Sequence, residues 1–413
     1  MRSLRRQSAT DAGGGLESAA RDGSQPERFP AFDGFRAIAA SSVLLLHVAF
    51  ASAFVFRHPS VGGYFFHGDV GVCMFFVISG FLLYRPFVAA HLSDRPGPAI
   101  AAYARRRALR IFPAYWVALT VITYVFHQKE IHSAREFVMV YGLLQIYDDS
   151  FRFSGLSQAW SLCTELSFYV FLPIYAVGLR RVGSGSDPDG RARRELVFVA
   201  LLVAIGFASR FVLVSWRGED SYSLTTLPVY LHLFGAGMGL AVLSSWQAAR
   251  AGSGPLPGLG RRPWAWWLLA AAAYWAVVNF SGFDHDYSPS SAGQWVFRDL
   301  AMAIAATALL MPGVFGPQGS GLIRRFLRFP AVQWVGLVSY GIYLWHESAI
   351  ELVQEALDQP LFTGDFPTLL VLATALSLLF AGASYFVVER PALRLKGGAR
   401  SRRARAPEPV PSG

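Results

Sequence analysis

Two side chains capable of ionic and acid–base chemistry lie in the first long apolar segment. Arg36 and His47 are eleven residues apart in FDGFRAIAASSVLLLHVAFASAFVF. Eleven residues are almost three helical turns, so both side chains project from nearly one face, with a rise of roughly 16 Å between them. A buried cation and a titratable base are costly in a lipid-spanning helix, which indicates a function. The alternative is an arginine that orients the helix and a histidine that bonds to a neighbouring helix.

Three further ionisable groups fall inside apolar segments at a similar height. His232, His346 and Glu165 are placed with His47 in one layer, with the histidines roughly 16–22 Å from one membrane face by helical rise. Interhelical hydrogen bonds are the alternative explanation. They explain His232 best and Glu165 worst, because an intramembrane carboxylate usually needs a proton, a cation or water.

A second cluster consists of arginines at the start of the segment IFPAYWVAL. Arg107 and Arg110 are three residues apart, hence on one helical face, and Arg85 ends the preceding segment on the same side. Guanidinium groups near a helix N-terminus can hold phosphate, since backbone amides add positive potential. For Arg105 and Arg106, anchoring at the membrane surface is the preferred interpretation.

The composition is that of a membrane protein. Hydrophobic residues make up 53% of the 413, and charged residues 15%, against about 25% in typical soluble domains. The pattern predicts an all-α fold, a polytopic integral membrane helical bundle in the cell membrane, and not the short alternating strands of a barrel. About ten transmembrane helices are predicted, near 33–56, 69–90, 108–126, 157–179, 196–215, 224–245, 264–281, 296–315, 331–352 and 366–388.

The basic residues predict the topology. Arginine-rich loops alternate with arginine-poor ones, so ten spans put every rich loop and both termini in the cytoplasm. The apolar segment 137–147 is too short to cross and is predicted to be interfacial or re-entrant on the outer side. The net charge of +10 is spread over the inner loops. It therefore indicates orientation in a lipid bilayer and no nucleic-acid binding.

The same composition divides the chain into three parts. Residues 1–30 are predicted to be a disordered cytoplasmic tail and 397–413 a disordered basic tail. The membrane domain is predicted to occupy 31–396.

Several motifs in this domain carry a family resemblance. FDGFRAIAASSVLLLHV, GVCMFFVISGFLLYRPF, YARRRALRIFPAYWVAL, QAWSLCTELSFYVFLP, SYGIYLWHESAI and VVERPALRL occur in this order. Together they resemble the integral-membrane acyltransferase 3 family, whose members acylate sugars, polysaccharides and natural products. The first two are the most specific. The resemblance covers nearly the whole chain apart from its tails.

The resemblance implies roles for particular residues. His47 would be the catalytic base, paired with Arg36 as a substrate-binding residue, and Glu165 would orient the imidazole or relay the proton. Arg107 and Arg110 match the motif that is taken to bind acyl-CoA. Arg85 and His346 are assigned to substrate binding on their positions. One departure is Cys73, where many members have an acidic or other residue, although Asp69 lies one turn away.

The predicted function is a membrane-bound O-acyltransferase. It would move an acyl group from cytoplasmic acyl-CoA, a co-substrate, to a hydroxyl of a sugar, polysaccharide, lipid-linked or natural-product acceptor. No cofactor and no metal is predicted. The chain has no GxSxG motif, which favours direct transfer over a covalent acyl-enzyme. The alternative is a proton-coupled secondary transporter using the buried His/Glu layer, against which the missing internal repeat counts modestly.

Overall fold

The structure is a computed structural model that describes residues 29–182, 187–218, 222–250, 258–282, 291–315 and 321–395. All regular elements in these ranges are helical, with no strand. The predicted disordered tails, 1–30 and 397–413, lie outside the described residues except at positions 29 and 30.

The helices are numbered here in chain order. They are α1 Phe32–Ala51, α2 Phe54–Arg57, α3 Pro59–Phe66, α4 Val70–Leu92, α5 Ile100–Tyr124, α6 Ala134–Tyr141, α7 Trp160–Val182, α8 Pro188–Arg217, α9 Leu227–Ala249, α10 Pro263–Phe280, α11 Ala292–Val314, α12 Leu322–Leu327, α13 Pro330–Leu337, α14 Ser339–Ala356, α15 Phe366–Ser384 and α16 Arg390–Arg394. A π-helical turn at Tyr385–Glu389 joins the last two.

Helices cover all ten predicted spans, and seven helical stretches are long and apolar enough to cross a membrane. These are Phe32–Ala51, Pro59–Leu92, Ser157–Val182, Pro188–Arg217, Ser223–Ala249, Ala292–Val314 and Phe366–Arg394. The other three predicted spans correspond to α5, α10 and α14. The all-α, multi-pass bundle is therefore confirmed, while the count of ten and the position of the termini stay predictions.

α4 lies at the centre and packs closely on α9. A Cβ atom on Gly80 would lie 2.2 Å from the carbonyl oxygen of Phe234, and one on Gly237 would lie 2.1 Å from that of Val77. Any side chain at either glycine would force the helices apart, as in the small-residue interfaces of membrane bundles. Close packing here fixes the height of α4 relative to its neighbours.

The segment at 137–147 does not form a spanning helix. It contains the end of α6, which is eight residues long, and a 3₁₀ turn, Gln145–Tyr147. Tyr115 of α5 donates a hydrogen bond of 2.7 Å to the carbonyl oxygen of Val140 and so holds α6 in place. The outer-side location of this segment stays a prediction.

Candidate active site

The side chains of α1 and α14 meet at a cluster of one carboxylate and two imidazoles. Oε1 of Glu347 lies 3.2 Å from Nε2 of His47. Nε2 of His346 lies 3.3 Å from Nδ1 of His47, with ring centroids 4.8 Å apart. His346 is buried, whereas a third of the His47 side chain is exposed. The cluster places a base next to a group that can stabilise its charged form.

The hydrogen-bond partners assign the protons of the two imidazoles. His346 Nδ1 lies 2.9 Å from the carbonyl oxygen of Tyr343, so this nitrogen is the donor and Nε2 is the acceptor. His47 Nδ1 lies 2.9 Å from the carbonyl oxygen of Val43 and is also a donor. The remaining nitrogen, Nε2 of His47, faces the Glu347 carboxylate. Once Nε2 has lost its proton, it can accept one from a substrate.

The 3₁₀ turn Ser157–Ala159 holds α14 and its carboxylate in position. The hydroxyl of Ser157 donates a short hydrogen bond to Oε2 of Glu347. The amide of Gln158 donates to the carbonyl oxygens of Tyr343 and Leu344, at 3.3 and 3.0 Å. These contacts fix the rotamer of Glu347. A fixed rotamer is needed if the carboxylate is to stay in contact with His47.

A cavity of about 390 Å³ opens beside the cluster, lined by His47, Glu347, Asp69 and Trp160 among others. Oδ2 of Asp69 accepts a short hydrogen bond from Arg298 of α11. Its Oδ1 is buried and has no partner within the described part of the chain. A buried carboxylate oxygen without a donor can accept a hydrogen bond from a hydroxyl or an amide. We call this space the acceptor cavity.

A second cavity, of about 110 Å³, lies nearer the end of the bundle where α1 begins. Its lining includes Arg36, Arg107, Arg110 and Glu165, which sequence analysis had selected separately, together with Tyr169. Glu165 Oε1 accepts a short hydrogen bond from Ser79, and the Arg107 guanidinium lies 5.7 Å from the centroid of the Tyr169 ring. We call this space the donor cavity.

Two arginines of the donor cavity have buried donor atoms without a partner. Nε of Arg107 and Nη2 of Arg110 are buried and, among the described residues, have no hydrogen-bond partner. Arg105 and Arg106 of the same helix are exposed. α5 thus turns one pair of arginines inward and the other outward.

The two cavities share Val72 and Tyr343 in their linings, so they meet at these side chains. The structure separates the members of the predicted ionisable layer. His47 lines the acceptor cavity and contacts His346, which lines neither cavity, whereas Glu165 lines the donor cavity. The carboxylate in contact with His47 is Glu347.

Arg85 and His232 also lie outside both cavities. Nε of Arg85 donates to the hydroxyl of Ser244 at 3.3 Å, and its guanidinium lies 4.8 Å from the centroid of the Phe29 ring. Arg85 therefore faces α9 and the entry to α1. Nε2 of His232 lies 3.9 Å from Oδ2 of Asp299 and makes no hydrogen bond among the described residues, while Nδ1 bonds to Val229 of the same helix. The interhelical hydrogen bond expected for this histidine is therefore not seen.

Sequence analysis missed Glu347 and gave Asp69 no role. Glu347 directly follows His346 in an otherwise apolar stretch, SYGIYLWHESAI. A carboxylate inside an apolar segment indicates a functional residue, so Glu347 could have been selected from the sequence. Asp69 directly precedes α4. An acidic residue at this position also stabilises a helix through the helix dipole, so its type alone does not indicate a functional role.

The three clustered side chains also have the composition of a metal site. Ligand atoms of His47, His346 and Glu347 all lie within 4.8 Å of one another. Two imidazoles and a carboxylate are a known ligand set for zinc. The prediction of no metal is therefore open to a direct test by chelation.

Comparison with known proteins identifies the family. A family model described as an acyltransferase domain matches residues 29–386. The putative peptidoglycan O-acetyltransferase YrhL of Bacillus subtilis is 28% identical over 389 residues, covering 89% of this chain and 55% of that protein. The peptidoglycan O-acetyltransferase OatA of Listeria monocytogenes is 25% identical over 378 residues, covering 88% and 55%. No solved structure matches.

A third relative, the exopolysaccharide production protein ExoZ of Rhizobium meliloti, is 29% identical over 351 residues, covering 82% of this chain and 93% of that protein. The chain spans about half the length of the two peptidoglycan O-acetyltransferases. Because the family model covers nearly the whole described bundle, the resemblance of the motifs is confirmed, and the chain belongs to the integral-membrane acyltransferase 3 family.

Proposed function

We propose that this protein is an O-acyltransferase that moves an acyl group from acyl-CoA to a hydroxyl of a carbohydrate. The observation that carries the proposal is that two cavities with different charged side chains meet at Val72 and Tyr343. One holds arginines with unpartnered donors, and the other holds an imidazole backed by a carboxylate. A polyanionic thioester suits the first, and a hydroxyl to be deprotonated suits the second.

The donor enters from the inner end, which is the end where α1 begins and which the predicted topology places at the cytoplasm. The CoA phosphates bind Arg107 and Arg110, whose free donors suit phosphate oxygens. The rise along α1 from Arg36 to His47 is roughly 16 Å. An extended pantetheine arm covers this distance and brings the thioester carbonyl to Tyr343.

The transfer step is a direct acyl exchange. The acceptor hydroxyl donates its proton to Nε2 of His47 while its oxygen attacks the thioester carbonyl carbon. A carbon–oxygen bond forms, the carbon–sulfur bond breaks, and the proton passes from His47 to the departing thiolate. Glu347, 3.2 Å from Nε2, stabilises the imidazolium that exists between these events. A base of this kind contributes about 10²–10⁴-fold to the rate.

The acceptor enters from the opposite end. The acceptor cavity is lined by His47 near the end of α1 and by Asp69 at the start of α4. With the predicted topology, this end faces outwards, so the acyl group crosses most of the bilayer within the protein. The names of the relatives favour a cell-wall or extracellular polysaccharide as the acceptor. The transporter alternative is not favoured by the family.

The test uses purified protein with radiolabelled acetyl-CoA and a panel of acceptors that includes chitotriose and galactose-containing oligosaccharides. We expect release of the CoA thiol and a base-labile acetyl ester on at least one acceptor, both abolished in His47→Gln. Neither thiol release nor ester with any acceptor would contradict the proposal. Equal turnover by His47→Gln would contradict the role of the imidazole.

A further inference from the structure

A third cavity, of about 140 Å³, lies at the inner end of the bundle, where α4, α7 and α8 meet near the start of α5. Its lining combines apolar side chains with buried polar ones. The residues that matter here are Tyr84, Phe87, His91, Ile100, Arg180 and Glu195. None of them takes part in the transfer step described above.

Its polar wall is an ordered group of three buried side chains. His91 Nδ1 lies 2.6 Å from Oε1 of Glu195, and the hydroxyl of Tyr84 donates a short hydrogen bond to Oε2 of the same carboxylate. His91 is 7% exposed and Glu195 2%. The carboxylate acts as acceptor for Nδ1–H, which leaves Nε2 as an acceptor in the neutral imidazole. Nε2 is buried and unpartnered within the described ranges.

A line of unsatisfied polar atoms connects this cavity with the donor cavity. Tyr103, Arg107 and Arg110 follow one face of α5 at intervals of four and three residues. Each has a buried nitrogen or hydroxyl oxygen for which the described chain offers no partner. The Tyr103 ring packs on Phe87, with centroids 5.7 Å apart. Buried polar groups are rarely left unpaired, so a run of them along one helix face indicates an extended polar ligand.

The third cavity, the arginines and His47 follow one another in the order in which acyl-CoA carries its nucleotide, its phosphates and its thioester. Ile100 lies seven residues before Arg107 on α5, which is a rise of roughly 10 Å towards the inner end. The thioester end of the donor extends from Arg107 in the opposite direction, towards His47. The third cavity therefore lies on the side of Arg107 opposite to His47, which suits the nucleotide of a CoA whose thioester extends towards His47.

We propose that the third cavity binds the adenosine 3′-phosphate end of the acyl-CoA donor; this inference rests on the proposed function. The adenine ring packs between Phe87 and Ile100, and its exocyclic amine donates to Nε2 of His91. Nη1 of Arg180 already donates a hydrogen bond of 2.7 Å to the carbonyl oxygen of Arg95. The other donors of Arg180 bind the 3′-phosphate. His91 and Arg180 thus select a CoA thioester over a shorter thioester.

The test compares three donors: acetyl-CoA, acetyl-dephospho-CoA, which lacks the 3′-phosphate, and acetyl-phosphopantetheine, which lacks the nucleotide. Thiol release gives KM for each. We expect His91→Leu to raise KM for acetyl-CoA about threefold to tenfold, the range of one hydrogen bond, and to leave KM for acetyl-phosphopantetheine unchanged. Arg180→Gln should raise KM for acetyl-CoA and leave that for acetyl-dephospho-CoA unchanged. Arg181→Gln, at the exposed next position, is the matched control.

Because His91→Leu leaves Glu195 without one of its partners, a second variant avoids the buried group. Ile100→Trp adds bulk at the half-open side of the cavity, where Ile100 is 51% exposed. It should raise KM for acetyl-CoA and not for acetyl-phosphopantetheine. Adenosine 3′,5′-bisphosphate should compete with acetyl-CoA in the wild type and more weakly in both variants.

Three results would overturn the inference. The first is an unchanged KM for acetyl-CoA in His91→Leu and Ile100→Trp. The second is an equal rise in KM for acetyl-CoA and acetyl-phosphopantetheine, and the third is a change in KM that depends on phosphatidylglycerol in the vesicles. The second would assign the buried group to helix packing, and the third would assign the cavity to a lipid. Absence of turnover by the wild type with any donor would instead reject the proposed function, so the two failures are distinguishable.

Discussion

Glu347→Gln tests the role of the carboxylate that contacts His47. Glutamine keeps the size of the side chain and can still bond to Ser157, but it removes the negative charge. At 3.2 Å, the attraction between carboxylate and imidazolium is about 5 kcal/mol at an effective dielectric constant of 20. A third of the His47 side chain is exposed, so we halve this figure to about 2–3 kcal/mol for solvent screening.

This energy is lost mainly in the transition state, when the imidazolium forms, so kcat should fall about 30- to 150-fold. KM for acetyl-CoA should stay unchanged, because the donor cavity lies on the other side of Val72 and Tyr343. The assay is thiol release at saturating donor and acceptor, with the melting temperature measured in parallel.

The matched control is Glu351→Gln, one turn further along α14. Glu351 pairs with Lys129 at 2.7 Å and lines neither cavity. We expect it to retain wild-type kcat. A loss below about threefold in Glu347→Gln, which is less than 1 kcal/mol, would refute the reasoning, and so would an equal loss in the control.

Four further predictions concern the base, the arginines, the topology and the metal. His47→Gln should lower the rate at least about 100-fold with the protein still folded, since glutamine cannot accept the proton; near-normal turnover would make His47 structural. Arg107→Ala and Arg110→Ala should each weaken acyl-CoA binding by about 1.5–3 kcal/mol and acceptor binding less, with exposed Arg106→Ala unchanged; unchanged affinity in both would make them anchors. Cysteines placed in 183–190 should react with an impermeant reagent from the cytoplasmic side; labelling from outside alone would overturn the ten-span topology. Dialysis against EDTA should leave activity unchanged, whereas a loss restored by zinc would establish a metal.

The donor cavity was largely predictable from local sequence patterns. The interval between Arg107 and Arg110 places both on one face of α5, and helical rise alone puts Arg36 at the inner end of α1. Arg85 could not be placed in the same way. Its distance from the donor cavity depends on the rotation of α4, which the close contact of Gly80 with α9 fixes.

The contact between His47 and Glu347 was much harder to predict. Glu347 and His47 are 300 positions apart in the chain. The periodicity of a helix indicates which of its faces is buried, but it does not indicate that α1 and α14 are neighbours. Equal height in the membrane suggested Glu165 as the partner of His47, but side chains at one height can face different cavities. The split of the predicted segment 331–352 into α13 and α14, around Val338, sets the direction of Glu347.

The most direct test of the two-cavity mechanism is transfer across a sealed membrane. The protein is reconstituted into vesicles, an acceptor that supports thiol release is trapped inside, and radiolabelled acetyl-CoA is added outside. The mechanism predicts acetyl ester on the trapped acceptor. The ester is formed by protein molecules whose donor-binding end faces the outside of the vesicle. No ester is expected with His47→Gln. Acetylation only when donor and acceptor are on the same side of the membrane would contradict it.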